Sequence, residues 1–240
     1  MSHNETNEQA GSAVLQSGEI AAISHKFAEG FARIRDVTDN DGACPAWAKA
    51  LYMACASAAR DQFTLMNREM GRARDLGLPL LDARGAALAV MISRGEGVYA
   101  TLTAAIDEVY GQKVGEPSDE PPDLELDRQG CLDHFHDYFG SVPDYIELMA
   151  DEAPRALEGY VLMRQWSLAE NNFSAKHVQL LLCTINAAEF SSRFVNVHAN
   201  GARAVGATEA EIVESVVCAI PVAGVAAWLP GADGIMMGRS

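Results

Sequence analysis

The sequence predicts an all-α protein built as two similar helical halves fused in one chain. Three observations carry that prediction. Hydrophobic residues make up 49% of the 240 positions, alanine is abundant and runs of β-branched residues are short, a composition that favours helix over sheet. Apolar residues recur at three- and four-residue spacing in one stretch after another. The chain also matches itself, without a gap, at a constant offset of 129 residues. Ala58-Ala59 pairs with Ala187-Ala188, Asn67 with Asn196, Ala73-Arg74-x-x-Gly77 with Ala202-Arg203-x-x-Gly206, and Gly95 with Gly224. Upstream, Glu29-Gly30-Phe31 falls on Glu158-Gly159-Tyr160 and Arg35 on Arg164. One register held over about seventy residues reads as an internal duplication.

Residues 1–14 are small and polar and read as a disordered arm. Ile23, Phe27, Phe31 and Ile34 then give an amphipathic helix from Ile20 to Ile34, broken by DVTDNDGACP. Pro45 suits the first turn of a second helix, whose face of Leu51, Ala54, Ala58, Leu65 and Met66 carries it to about Leu76, with Gly77 as its stop. A third helical region follows Pro79 and runs to about Gly111, with Gly95 and Gly97 permitting a bend. Residues 15–111 are thus the first repeat. The Pro-, Asp- and Glu-rich residues 112–130 read as an exposed linker, and 131–240 as the second repeat.

In that second half, CLDHFHDYFG suggests a short helix or turn, and a longer helix runs from Pro143 to about Ser167 with Pro154 bending or interrupting it. Asn172 or Ser174 can cap the next helix, which begins near Ala175 and buries Leu180, Cys183, Ala187, Phe190, Phe194, Val197 and Gly201. Gly206 ends it as Gly77 ends its twin. Thr208 and Glu211 form a capping box for EAEIVESVVCAI, Pro221 ends or kinks that helix, and a small-residue tail remains.

Charge narrows the function classes. A net charge of −15 and a pI near 4.7 disfavour nucleic acid and anionic membranes as partners. No apolar run reaches the roughly 18 residues of a membrane span, and MSHNETNEQAGSA lacks the basic start and apolar centre of a signal peptide, so a cytoplasmic location is expected. Cys44, Cys55, Cys131, Cys183 and Cys218 are scattered and never form a C-x-x-C pair, so each reads as a small buried hydrophobe.

His198 is the leading candidate for chemistry. On a continuous helix it would share a face with Thr184 and Ser191, while Glu189 would point the opposite way unless the helix breaks near Ser191, where Ser191 or Ser192 could act as an N-cap. The alternative is a buried histidine satisfied by a neighbouring carbonyl or hydroxyl. At the offset of 129, His198 matches Glu69, Ser191 matches Gln62 and Glu189 matches Arg60, so the polar chemistry of the halves has diverged. His134 and His136, beside Cys131, Asp133 and Asp137, have the residue types of a transition-metal site, but a spacing of two on a helix sends the imidazoles to different sides. No metal site is expected. Trp47, Trp166 and Trp228 are assigned to packing.

The pattern Ala-Ala-x-x-Ser191-x-x-Phe194-x-x-x-His198, followed by Ala202, Gly206-Ala-Thr-x-x-Glu211-Ile and Ala223-Gly224, resembles the carboxymuconolactone decarboxylase and AhpD-like superfamily, as does the lead-in FGSVPDYIELMADEAPRALEGY. The resemblance is best over residues 139–228. It implies an all-α fold of two AhpD-like repeats, no cofactor, a small-molecule substrate and a homo-oligomer, commonly a trimer. Peroxidase members carry C-x-x-C-x-x-x-H with an upstream Glu; here Ser191 and Phe194 stand at the cysteine positions and Gln179 at the acid position, so the thiolate that peroxide reduction needs is missing. Decarboxylase members keep the histidine alone. The resemblance therefore implies an acid-base lyase acting on a small organic acid or lactone, with His198 and Ser191 catalytic and Thr184, Glu189, Arg193, Phe194, Arg164 and Glu69 around the substrate. An anionic substrate needs a local cation, which Arg164, Arg193 or Arg203 could supply; the twins Arg35 and Arg74 also fit structural ion pairs repeated in both halves. A non-catalytic member that binds a ligand or partner is the competing reading.

Overall fold

A computed structural model describes residue 14 and residues 18–112 and 126–238. Among these residues there are helices and no strand, so the protein is all-α. The arm of residues 1–13 and most of the acidic stretch, 113–125, lie outside the described residues.

Among the described residues two compact units form, and they do not follow the sequence boundaries: residues 18–111 gather with 172–238, and 126–171 stand as the other unit. The second half of the chain thus divides near residue 171, with only its C-terminal part joining the first half.

The larger unit opens with α1 (Glu19–Ile23) and α2 (His25–Asp39). The single helix expected over 20–34 is split because Ser24 is extended and its hydroxyl caps α2, accepting from the Phe27 N–H at 3.2 Å. Next come α3 (Ala46–Ala58) and α4 (Phe63–Asp75), where one helix to Leu76 was expected. The break is local: Asp61 takes φ 56°, which no helix continues through, and the Gln62 N–H returns to the Ser57 carbonyl at 2.9 Å. Helix α5 (Leu80–Tyr110) bends at Gly95, whose φ of 80° and ψ of 177° favour glycine.

After residue 171 the same turns recur. Helix α9 (Ala175–Ala188) gives way to α10 (Ser192–Ala204) through Phe190 at φ 61°, with the Ser191 N–H bonded to the Asn186 carbonyl at 2.9 Å. Gly77 and Gly206, at φ 98° and 84°, end α4 and α10, and Leu78 and Ala207 donate back to Ala73 and Ala202 at 3.0 and 2.9 Å. Helix α11 (Glu209–Val217) starts on the expected Thr208–Glu211 capping box. Helix α12 (Ile220–Ala223) stops at Gly224, φ 80° and ψ 171°, the counterpart of Gly95. The tail is a further helix, α13 (Trp228–Met237). Every pair named here is separated by the offset of 129 found in the sequence.

Helices α3 and α9 are buried on nearly all sides and form the centre of this unit. Beside their contact, Arg60 in the turn after α3 donates to the Ala188 carbonyl at the end of α9 at 2.7 Å, and Gln62, ahead of α4, donates to the Val222 carbonyl on α12 at 2.9 Å. Helix α13 lies close to its neighbours because of its glycines. A Cβ on Gly234 would stand 2.6 Å from the Ser192 carbonyl oxygen and from Val195 Cβ.

The smaller unit holds α6 (Arg128–Phe139), α7 (Asp144–Glu152), α8 (Pro154–Gln165) and a π-helical turn, Trp166–Glu170. Pro154 interrupts the expected long helix and becomes the first residue of α8, where its missing N–H costs nothing. Cys131, Phe135, Ile146, Ala150, Leu157 and Val161 make its core.

Candidate functional site

His198 sits half-buried on α10, a helix placed by the break after α9. Its Nδ1 lies 2.9 Å from Oε1 of Gln179, a residue 3% exposed on α9. An amide oxygen can only accept, so Nδ1 carries a proton and Nε2 is the nitrogen whose protonation sets the charge of the ring. The two residues are 19 positions apart in sequence and meet because α9 and α10 fold back antiparallel across the Glu189–Ser191 turn.

That turn rearranges the other residues expected here. With α9 ending at Ala188, the shared face of a continuous helix does not form. Thr184 is fully buried, and its hydroxyl donates to the Ser215 carbonyl in the last turn of α11 at 2.7 Å. Ser191 is the N-cap of α10, though its side chain makes no capping bond. Glu189 pairs with Arg94, whose Nε is 2.8 Å from Oε1; Arg94 also bonds Asn186 Oδ1 at 2.9 Å. Sequence reasoning missed Arg94, because nothing local ties it to a residue 95 positions away. Phe194 is half exposed and Arg193 lies over its ring at 5.9 Å.

Arg164 belongs to the smaller unit, where its guanidinium lies 4.4 Å above the Tyr138 ring and within 6 Å of Phe135, Phe139 and Tyr160. Its Nε donates to His134 Nε2 at 3.3 Å. Burial, followed by the Arg164 charge, pushes the His134 pKa down, so this imidazole is a neutral acceptor. His136 faces outward, 3.8 Å from Asp137. Among the described residues no group of three His, Cys, Asp or Glu is placed to hold a metal ion.

Glu69, the counterpart of His198, is fully buried within a charge cluster. Arg35, Arg68 and Arg72 donate to its carboxylate at 2.9, 2.7 and 2.9 Å. Burial alone would raise its pKa, but the arginines outweigh it and the net direction is down. Asp39 shares Arg35 and Arg72, yet burial and the Glu69 charge hold its pKa above the ordinary value. The more exposed Arg203 pairs with Glu209 at 2.5 Å, and its twin Arg74 with Asp75.

All five cysteines are free and buried. Burial lifts Cys44 and Cys55 to about 12, and Cys183 and Cys218 higher still, which keeps these thiols protonated. A partly buried pair lies across the contact of α3 and α9: Tyr52 Oη is 2.5 Å from His177 Nδ1. Burial, with a lesser push from Lys176, lowers the His177 pKa to about 4, so the neutral ring accepts a hydrogen bond from the Tyr52 hydroxyl, which keeps its proton.

No helix among the described residues is long and apolar enough to cross a membrane. No known family model matches the sequence, and comparison with characterised proteins also returns no match.

Proposed function

We propose that this chain is an acid-base enzyme of small molecules, a lyase similar to carboxymuconolactone decarboxylase, with His198 as its proton-transfer residue. The observation that carries the reading is the His198–Gln179 bond. It holds one imidazole tautomer in a half-buried position and directs proton exchange to Nε2. In the proposed step the bond between the substrate's carboxylate and its adjacent carbon breaks, carbon dioxide leaves, and the electron pair passes into a conjugated carbonyl or lactone. His198, having taken a proton from solvent onto Nε2, then delivers it to that carbon, returns to the neutral ring and takes up the next proton from solvent. Gln179 positions the ring; Ser191, at the start of the same helix, is the candidate to orient the substrate. Two AhpD-like repeats and assembly as a homo-oligomer, a trimer first among the possibilities, belong to the same proposal.

The test is turnover of a panel of β-keto acids and carboxylated lactones, followed by carbon dioxide release. Wild-type protein is expected to consume at least one of them, His198→Gln to lose about a hundredfold or more in kcat, and Gln179→Leu to shift the pH profile of kcat/KM. Turnover that survives His198→Gln in a folded protein, or none with any member of the panel, would overturn the reading.

A further inference from the structure

The larger unit carries a concave feature that involves neither α9 nor α10. Helices α1 and α2 on one side and α12 with the turn after it on the other enclose an open pocket of about 790 Å³. That volume lies in the range of small-molecule sites, roughly 300–1,000 Å³. Its origin is the amphipathic pattern of α2. Arg35 and Thr38 face the interior, while Phe27, Gly30, Phe31 and Ile34 follow i, i+3, i+4, i+7 spacing and line the pocket. Ile220 and Val225 face them. Phe27 and Val225 remain 67% and 63% exposed, large apolar groups left to water on facing walls.

Two glycines keep the pocket open: a Cβ on Gly30 or Gly224 would meet nothing within 4 Å. The polar lining is Ser24 and Lys26. Ser24 Oγ accepts from the Phe27 N–H, which leaves its hydroxyl hydrogen to donate elsewhere. Among the described residues no carboxylate makes an ion pair with Lys26, and Glu29, one turn on, is held by Arg33 at 2.9 Å. An apolar trough with one ammonium and one hydroxyl on its lining matches a ligand with an aliphatic body and an anionic head. An apolar helix face of a second copy suits it less, because seating one there would cover the Lys26 ammonium without giving it a partner.

We propose that this pocket binds an aliphatic carboxylic acid, its chain against Phe27, Phe31, Ile34 and Val225 and its carboxylate at Lys26 Nζ and the Ser24 hydroxyl. The full chain would be titrated calorimetrically with dodecanoate and with dodecanol, both below micelle formation, and its sedimentation followed in parallel. Dodecanoate is expected to bind. Lys26→Gln weakens the acid about tenfold and leaves the alcohol unchanged. Gly30→Leu places a helix-favouring side chain in the open space, so it weakens both ligands while the thermal midpoint holds or rises. His198→Gln leaves binding as it is, which separates this site from the proposed catalytic one. The inference is overturned if dodecanoate does not bind, if Lys26→Gln affects acid and alcohol alike, if Gly30→Leu changes nothing, or if concentration-dependent dimerisation blocks the pocket.

Discussion

Replacing Glu69 with Gln keeps the shape of that side chain and removes its charge from beneath three arginines. Of these, Arg68 is 30% exposed and can turn to water, whereas Arg35 and Arg72 are nearly fully buried. Both would be left sharing Asp39, at 2.7 and 3.3 Å. Breaking a buried pair on one side costs about 3–5 kcal/mol, and the remaining Asp39 contacts place this case near the lower end. A loss of about 3 kcal/mol corresponds to roughly 6–12 °C in Tm for a unit of this size. Urea unfolding followed by far-UV circular dichroism measures it, with the midpoint expected to fall and the slope to stay constant. The paired replacement Arg35→Met with Glu69→Leu should cost less than Glu69→Gln alone, since no uncompensated charge is created at Arg35. The sign with pH follows from the lowered Glu69 pKa: its contribution is present above the ordinary carboxylate range and is lost as pH falls through the folded value. The gap between wild type and Glu69→Gln should therefore close in acid. A change under about 1 kcal/mol at neutral pH, or a double variant as damaged as the two single variants added together, would refute this account of the cluster.

Three further outcomes are expected. Thr184→Val leaves the buried Ser215 carbonyl without its donor and should cost about 1–3 kcal/mol in a denaturant melt. Gly234→Ala drives a methyl into Ser192 and Val195 and should lower stability by about 1–3 kcal/mol, visible as a reduced Tm. His177, with its pKa lowered to about 4, favours the fold when neutral; its contribution is complete above the unfolded value near 6.5 and is lost as pH falls from there towards 4. After allowance for partial exposure that window should cost on the order of 2 kcal/mol, and His177→Gln should flatten it in unfolding curves taken from pH 7 to pH 4.

By itself the sequence determined the helical class, the glycine stops at Gly77 and Gly206, the bend at Gly95, the Thr208–Glu211 cap and the burial of the cysteines. These are local matters: a φ that favours glycine, a hydroxyl three residues before a carboxylate, or a side chain that gains from leaving water. The positive-φ turns at Asp61 and Phe190, which the structure places 129 positions apart, were not read from the sequence. A non-glycine residue at positive φ has no clear sequence signal, so the helix after Pro45 was expected to continue to Leu76, and the break near Ser191 stood only as an alternative to a continuous helix. Only the tertiary structure decided what the polar residues touch. The turn after α9 takes Thr184 to Ser215 and brings Gln179 to His198; Glu189 meets Arg94 through the packing of α9 near the bend of α5. Glu69 and His198 hold matching positions and live in different surroundings, one neutralised by three arginines and the other held by an amide. Backbone geometry follows from residues near in sequence; the charge and hydrogen bonding of a site come from residues the fold brings together.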